Sequence, residues 1–265
     1  MLIRTAMARP APDLQGYVAN FGIFYADATP ERPTLMLPEG IIELVVHLDG
    51  RTRQRGLRDS WQDRQEAFIG GLHQRGYEVQ VMESGLLFSV KFHIAQFAVF
   101  YEGPIHTLKN AMVTPENLWG KAGTRLVDQI RNTSSFEEQI QLTEHFLRKR
   151  MQAHPNQPMQ AAAMELTAMP PYSIQQLAGK YRLSPSRFRH VFNEVVGISP
   201  RDFASVQRIR LALTLYPTHS SFTDLGLALG YHDQAHFIRD WKNRTGFTPS
   251  DFFKSIQSGD QPFCR

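Results

Sequence analysis

Two periods order the apolar and polar residues of this chain, and one gives way to the other near residue 114. Before it, Ile41-Ile-Glu-Leu-Val-Val-His-Leu48 is an apolar, β-branched run closed by the turn pair Asp49-Gly50, as a strand entering a turn requires. Phe88-Ser-Val-Lys-Phe-His93 alternates, which sets Phe88, Val90 and Phe92 on one strand face. Val79 and Val81 alternate in the same way ahead of Glu83-Ser-Gly85, so residues 77–93 are predicted to form a hairpin. After Thr114 the spacing becomes helical. Ser135 and Glu138 form a capping-box pattern ahead of Phe136, Ile140, Thr143 and Leu147, which share one helix face, and Arg148-Lys149-Arg150 suits the negative end of the helix dipole. Met151–Pro158 has two prolines and no period. The chain therefore divides into an N-terminal domain (1–152), a linker (153–158), a helical domain (159–256) and a tail (257–265).

The helical domain repeats itself. Val191–Phe203 and Asp240–Phe252 align at an offset of 49, with Gly197/Gly246, Pro200/Pro249, Asp202/Asp251 and Phe203/Phe252 identical. Each copy reads as a short helix, a tight turn and a second helix. In the first copy Ser184 is an N-cap with Pro185 at the first helical position, and Phe188, Val191, Phe192 and Val195 form an inward stripe. Ser186, Arg189, His190 and Asn193 share the outward one. In the second copy Phe237 and Trp241 face inward, and Ala235, Ile238, Arg239 and Lys242 face outward with Gln234 and His236 in the first turn. Side chains of these types read base edges in a major groove: Arg bonds guanine, Gln bonds adenine, and Ala or Ile packs on a thymine methyl. Lys242, a turn deeper, suits a phosphate.

Charge agrees with that division. Residues 1–158 carry 17 Lys/Arg and 17 Asp/Glu, whereas residues 159–256 carry 11 and 7, so the net +4 of the chain resides in the repeated domain. The apolar fraction of 42% excludes a disordered chain, and no stretch approaches the ~20 apolar residues of a membrane span. Arginines interrupt the first ten residues before a signal peptide could form, and the single cysteine, Cys264, provides neither a disulfide nor a zinc site. A soluble, cytoplasmic protein is expected.

The second copy carries Asp224-Leu225, Gly230-Tyr231, His236-Phe237, Arg239, Trp241-Lys242, Gly246-Phe-Thr-Pro249 and Phe252. With these motifs residues 159–256 resemble the paired helix-turn-helix domain of the AraC/XylS family of bacterial transcription regulators. The resemblance implies that Ser186, Arg189 and His190, and then Gln234, Ala235, His236, Ile238 and Arg239, read bases. It implies double-stranded DNA as partner, with a small-molecule effector, a second copy of the chain and, for an activator, RNA polymerase as further ones. Three residues depart from the family pattern: Gly226 for Ala, Asp240 for an apolar residue, with Arg244 at i+4 as its expected partner, and His190 for Arg. Residues 13–150, with Gly70-Gly71, Phe88–Phe92 and Leu118-Trp-Gly120, resemble a sensor domain found ahead of such DNA-binding domains. The implied class is α+β: an N-terminal β-barrel-like sheet with trailing helices, then an all-α tandem helix-turn-helix domain. An effector pocket would be lined by Val79, Val81, Phe88, Val90 and Phe92.

An enzymatic alternative would have to reside in the N-terminal domain, as a metal-dependent or DNA-repair enzyme. His47, His73, His93 and His106 lie on or near strands but show no ligand spacing, and His47 and His93 fall at polar phases that predict exposed or rim positions. Cys264 has no metal-ligand neighbours, and no phosphate loop or nucleophile elbow occurs. Neither catalysis nor a cofactor or metal is expected. The Arg51, Arg53, Arg55, Arg58 run is followed by acids and reads as a solvated hairpin loop.

Overall fold

The computed structural model describes residues 2–29, 33–57, 59–152, 157–166, 173–218 and 221–257. Most of the expected linker, all of the tail beyond residue 257, Arg58 and Cys264 lie outside the described residues. The N-terminal half holds strands β1 (Leu2–Ala8), β2 (Val18–Ala26), β3 (Thr34–Met36), β4 (Ile41–His47) and β5 (Arg51–Gly56). These are followed by β6 (Gln62–Asp63), β7 (Ala67–Gly70), β8 (Tyr77–Glu83), β9 (Gly85–His93) and β10 (Met112–Val113). They form two antiparallel sheets, one ordered β1-β2-β9-β4-β7-β10 and the other β3-β8-β5-β6.

The class is α+β, but the strands form two sheets with open edges rather than one barrel-like sheet. The expected hairpin over 77–93 is likewise replaced. β8 pairs with β3 and β5, whereas β9 pairs with β2 and β4 in the other sheet. Only Ser84 separates the two strands, fewer residues than the two-residue loop of the tightest common hairpin, so the chain runs on from one sheet into the next. Arg51, Arg53 and Arg55 of the arginine run lie on a strand, not in a loop. On β5, Arg51 pairs with Glu83, Arg53 donates twice to Gln80 Oε1 at 3.0 and 2.8 Å, and Arg55 pairs with Glu78.

β4 and β9 lie inside the larger sheet and are covered on both faces. Ile42, Leu44 and Val46 on β4, with Phe88, Val90 and Phe92 on β9, belong to the main core with Phe21, Phe97, Phe100 and Trp119. The opposite faces carry Glu43 and Val45, and Leu87, Ser89 and Lys91, turned toward the smaller sheet. Helices α1 (Pro115–Trp119), α2 (Lys121–Arg131) and α3 (Phe136–Arg150) follow, with Thr114 capping α1 and Ser135 capping α3. The indole of Trp119 donates to the Phe100 carbonyl at 2.8 Å and so ties α1 to the 3-10 turn Ile94–Phe100.

The second half is helical: α4 (Gln157–Glu165), α5 (Ile174–Lys180), α6 (Pro185–Val196), α7 (Pro200–Leu215), α8 (Phe222–Ala228), α9 (Gln234–Thr245) and α10 (Pro249–Gln257). The core does not stop at the expected boundary. Phe188, Phe192 and Val195 of α6 share one cluster with Phe97 and Ile105 of the N-terminal half. Leu35 and Leu37, from β3 and the loop after it, enter the cluster of Ile209, Phe237 and Trp241. Burying each such leucine contributes up to about 1.5–3 kcal/mol, so the halves stabilise each other.

Candidate nucleic-acid interface

Local chemistry sets both helix-turn-helix units. Ser173 caps α5 with a complete capping box to Gln176, Ser184 accepts from the Arg187 amide to start α6, and Asp233 accepts from the His236 amide at 2.6 Å to start α9. α6 and α9 end alike, at Gly197 (φ +84°) and Gly246 (φ +85°), both in the left-handed conformation that glycine adopts without strain. The matched glycines of the repeat are matched C-caps.

The outward stripes lie where the spacing puts them. Ser186, Arg189, His190, Asn193, Gln234, Ala235, Arg239 and Lys242 are exposed on α6 and α9, while His236 and Ile238 are half-buried. Ile238 packs against the core around Trp241, and His236 sets its ring edge-on to Tyr231 at 5.2 Å. His190 stands 3.4 Å from Glu194 one turn along, and Gln234 accepts from Thr223 Oγ1 at 3.0 Å, which ties the second unit's two helices together. Arg189, Arg239 and Lys242 enter no hydrogen bond or ion pair among the described residues. Four arginines of the N-terminal half, Arg51, Arg55, Arg131 and Arg148, hold acids. The helix faces thus leave cationic donors available to a polyanion.

The carboxylate at position 240 pairs with the expected Arg244 one turn on and has two further donors besides. Asp240 accepts from Ser205 Oγ and from the Tyr231 hydroxyl (2.8 Å), and Arg244 lies at 3.6 Å. Burial, reinforced by Asp240, pushes the Tyr231 phenol well above its ordinary value. Arg244 itself is buried and crosses between the halves. It donates to Asp202 Oδ1 at 2.8 Å and to the Gln74 carbonyl at 3.0 Å, while its own carbonyl accepts from the Gly76 amide at 2.6 Å. Burial pushes the Asp202 carboxyl up, but the hydrogen bonds from Arg244 and Ser199 outweigh it and hold the group below its ordinary value. The i+4 spacing of Arg244 from Asp240 suggested a local pair; its cross-domain contacts have no sequence signal.

The same N-terminal segment also meets the end of α6. A Cβ on Gly197 would fall 2.4 Å from Leu72 Cδ1 and 2.7 Å from Ile105 Cγ2. Leu72 is fully buried at φ +40°, a backbone strain that non-glycine residues adopt at a cost of about 1–3 kcal/mol. Residues 72–76 therefore hold the C-terminal ends of both outward-facing helices, whose N-terminal turns stay open.

The expected pocket residues are placed otherwise. Phe88, Val90 and Phe92 are sealed in the main core, Val81 belongs to a small cluster with Phe68 and Leu87, and Val79 is 1% exposed. None lines the narrow cavity that does lie between the sheets, about 40 Å³. That cavity uses the opposite strand faces. Its wall includes Phe24, Glu43, Arg64, Tyr77, Ser89 and Lys91. The signal was present in the polar residues Glu43, Ser89 and Lys91, set within otherwise apolar runs. His47 is buried, not exposed: its ring bonds the Thr52 hydroxyl at 2.9 Å, and burial lowers its pKa. His73 lies 4.2 Å from the Tyr77 ring, its pKa lowered to about 4 by burial and by Arg64. Among the described residues no three His, Cys, Asp or Glu groups assemble into a metal site, and no helix is long and apolar enough to cross a membrane.

Residues 177–255 match a helix-turn-helix domain family, and residues 6–114 match a domain of unknown function (DUF6597). The arabinose operon regulatory protein of Escherichia coli K12 is 38% identical over 82 residues, 31% of this chain and 28% of that protein. The virulence regulon transcriptional activator VirF of Yersinia enterocolitica is 30% identical over 88 residues, 33% of this chain and 32% of its own. The chain thus spans under a third of the length of these relatives. Among solved structures, ToxT of Vibrio cholerae aligns over 88% of this chain and 97% of its own at 10% identity, with a TM-score of 0.48.

Proposed function

Because the chain belongs to the AraC-type helix-turn-helix family through residues 177–255, we propose that it is a transcription regulator that binds duplex DNA with α6 and α9. One observation carries this reading: two capped helices present Arg189, Arg239 and Lys242 outward and exposed, closing no ion pair with an acid among the described residues, although Asp233 feels the charge of Arg239. Ser186, His190, Asn193, Gln234, Ala235 and the accessible part of His236 complete the base-reading set, with Ile238 contributing only its exposed edge. Two units in one chain suit an asymmetric site spanning adjacent major grooves, about 34 Å or roughly 10 base pairs apart. The N-terminal half acts as the regulatory part through residues 72–76, which grip both helices at their C-terminal ends. A small-molecule effector, a second copy of the chain and RNA polymerase, for an activator, are its partners in this reading.

The test is a gel-shift titration of the full chain against a pool of random duplexes at two salt concentrations. Affinity should fall steeply with salt, in proportion to the phosphates neutralised. No retardation of any duplex at low salt would refute the proposal.

A further inference from the structure

A wider cleft, of about 380 Å³, opens at the C-terminal end of α3. Its volume lies within the ~300–1,000 Å³ usual for small-molecule sites. Phe146, Lys149 and Arg150 line it from one face of α3, at i, i+3 and i+4, together with Phe100, Glu102 and Gln152. Its two cations are not committed to acids. Arg148, on the same turn of α3, holds Asp13 and Glu144, but Lys149 and Arg150 close no ion pair among the described residues. Arg150 is nevertheless held in place. Its Nη2 donates to the Trp119 carbonyl at 3.1 Å, and its guanidinium lies 5.0 Å from the centre of the Phe146 ring. The acceptors are fixed as well: the Gln152 amide donates to the Val99 carbonyl at 3.1 Å, and its side chain donates to Glu102 Oε1 at 2.6 Å. Glu102 Oε2 and Gln152 Oε1 are left as acceptors at the cleft.

We propose that this cleft binds a phosphorylated sugar as the effector of the protein. Lys149 and Arg150 take the phosphate, whose charge of about −1.5 to −2 at neutral pH matches two cations. Glu102 and Gln152 accept from sugar hydroxyls, and Phe100 and Phe146 offer apolar surface to the ring. A monocarboxylate with an apolar tail would match one cation only and set its tail against Glu102 and Gln152. An uncharged sugar would leave both cations to water. A phosphate ester that carries hydroxyls matches both sets of groups. The site also leads toward the DNA-binding half. From Gln152 the chain continues to α4, whose Met159, Ala162 and Ala163 are buried in one cluster with Phe188 and Phe192 of α6. The inference rests on the reading of the N-terminal half as the regulatory part.

The experiment is calorimetric titration of the full chain with D-glucose 6-phosphate, D-fructose 6-phosphate and D-ribose 5-phosphate. The three parent sugars and inorganic phosphate serve as matched controls. At least one ester should bind saturably, and its parent sugar and inorganic phosphate at least about tenfold more weakly, since each supplies only part of the contacts. Lys149→Met should weaken the ester at least about fivefold. Lys149 is exposed and enters no hydrogen bond or ion pair among the described residues, so this variant keeps the fold. Failure of all three esters to bind, a parent sugar or inorganic phosphate binding as tightly as its ester, or unchanged binding by Lys149→Met would overturn the proposal. Gel-shift titration with the ester present should show a changed DNA affinity. Ester binding that leaves DNA affinity unchanged would keep the site and refute the regulatory reading instead.

Discussion

Replacing Arg244 with methionine removes a side chain that bonds both halves of the molecule while keeping most of its apolar stem. Three contacts are lost, to Asp202 at 2.8 Å, to the Gln74 carbonyl at 3.0 Å and to Asp240 at 3.6 Å. Breaking a fully buried pair costs about 3–5 kcal/mol. The Asp202 side chain keeps 34% of its exposure, so water replaces part of the loss and the expected cost is about 2–3 kcal/mol. Urea unfolding at neutral pH measures it as a lower midpoint with the slope unchanged. In Arg244→Met/Asp202→Asn the losses should not add, with a coupling of about 1–3 kcal/mol. The pH dependence follows from the same pair. The folded pKa of Asp202 lies below its ordinary 3.8, so the stability it contributes is complete above that value and is lost as pH falls through the folded value. The gap between wild type and Arg244→Met should therefore narrow on acidification below about pH 4. A loss under about 0.5 kcal/mol, additive variants, or a gap that widens in acid would refute the role given to Arg244.

Further outcomes test the parts separately. Gly197→Ala should destabilise by more than the ~1 kcal/mol of an ordinary C-cap replacement, because its Cβ would also meet Leu72 and Ile105; thermal unfolding of the variant decides it. Asp233→Ala should cost about 1 kcal/mol, and circular dichroism melts should show an earlier transition, through loss of the bond to the His236 amide at 2.6 Å. Arg239→Ala should cost about 1–3 kcal/mol of DNA affinity and relax preference at one or two base positions. Lys242→Ala should weaken all sequences alike and reduce the salt slope by about one; binding to a library of site mutants separates the two, and an exchanged pattern would mean that α9 is docked in a different rotation.

The helical repeat was legible because its determinants are local. Ser184, Asp233, Gly197 and Gly246 act within a few residues of themselves, so caps and helix faces follow directly from spacing. The sheets were legible as strands but not as partners. Alternation over 77–93 gives the face of each residue, yet cannot tell a hairpin from a chain that passes between sheets through Ser84. It also misleads where both faces are covered: Phe88, Val90 and Phe92 mark the core side of β9, and the cavity takes Leu87, Ser89 and Lys91. The contacts of residues 72–76 with α6 and α9 span more than a hundred positions, and nothing in the local pattern of either segment announces the other.

The most direct test of the account is hydroxyl-radical footprinting of the full chain on a duplex selected from the random pool. Two protected patches are expected on one side of the DNA, about 10 base pairs apart, within a site that lacks two-fold symmetry and is saturated by one chain. Protection of a single groove, or a palindromic site filled only by two chains, would contradict the assignment of α6 and α9 as paired readers in one molecule.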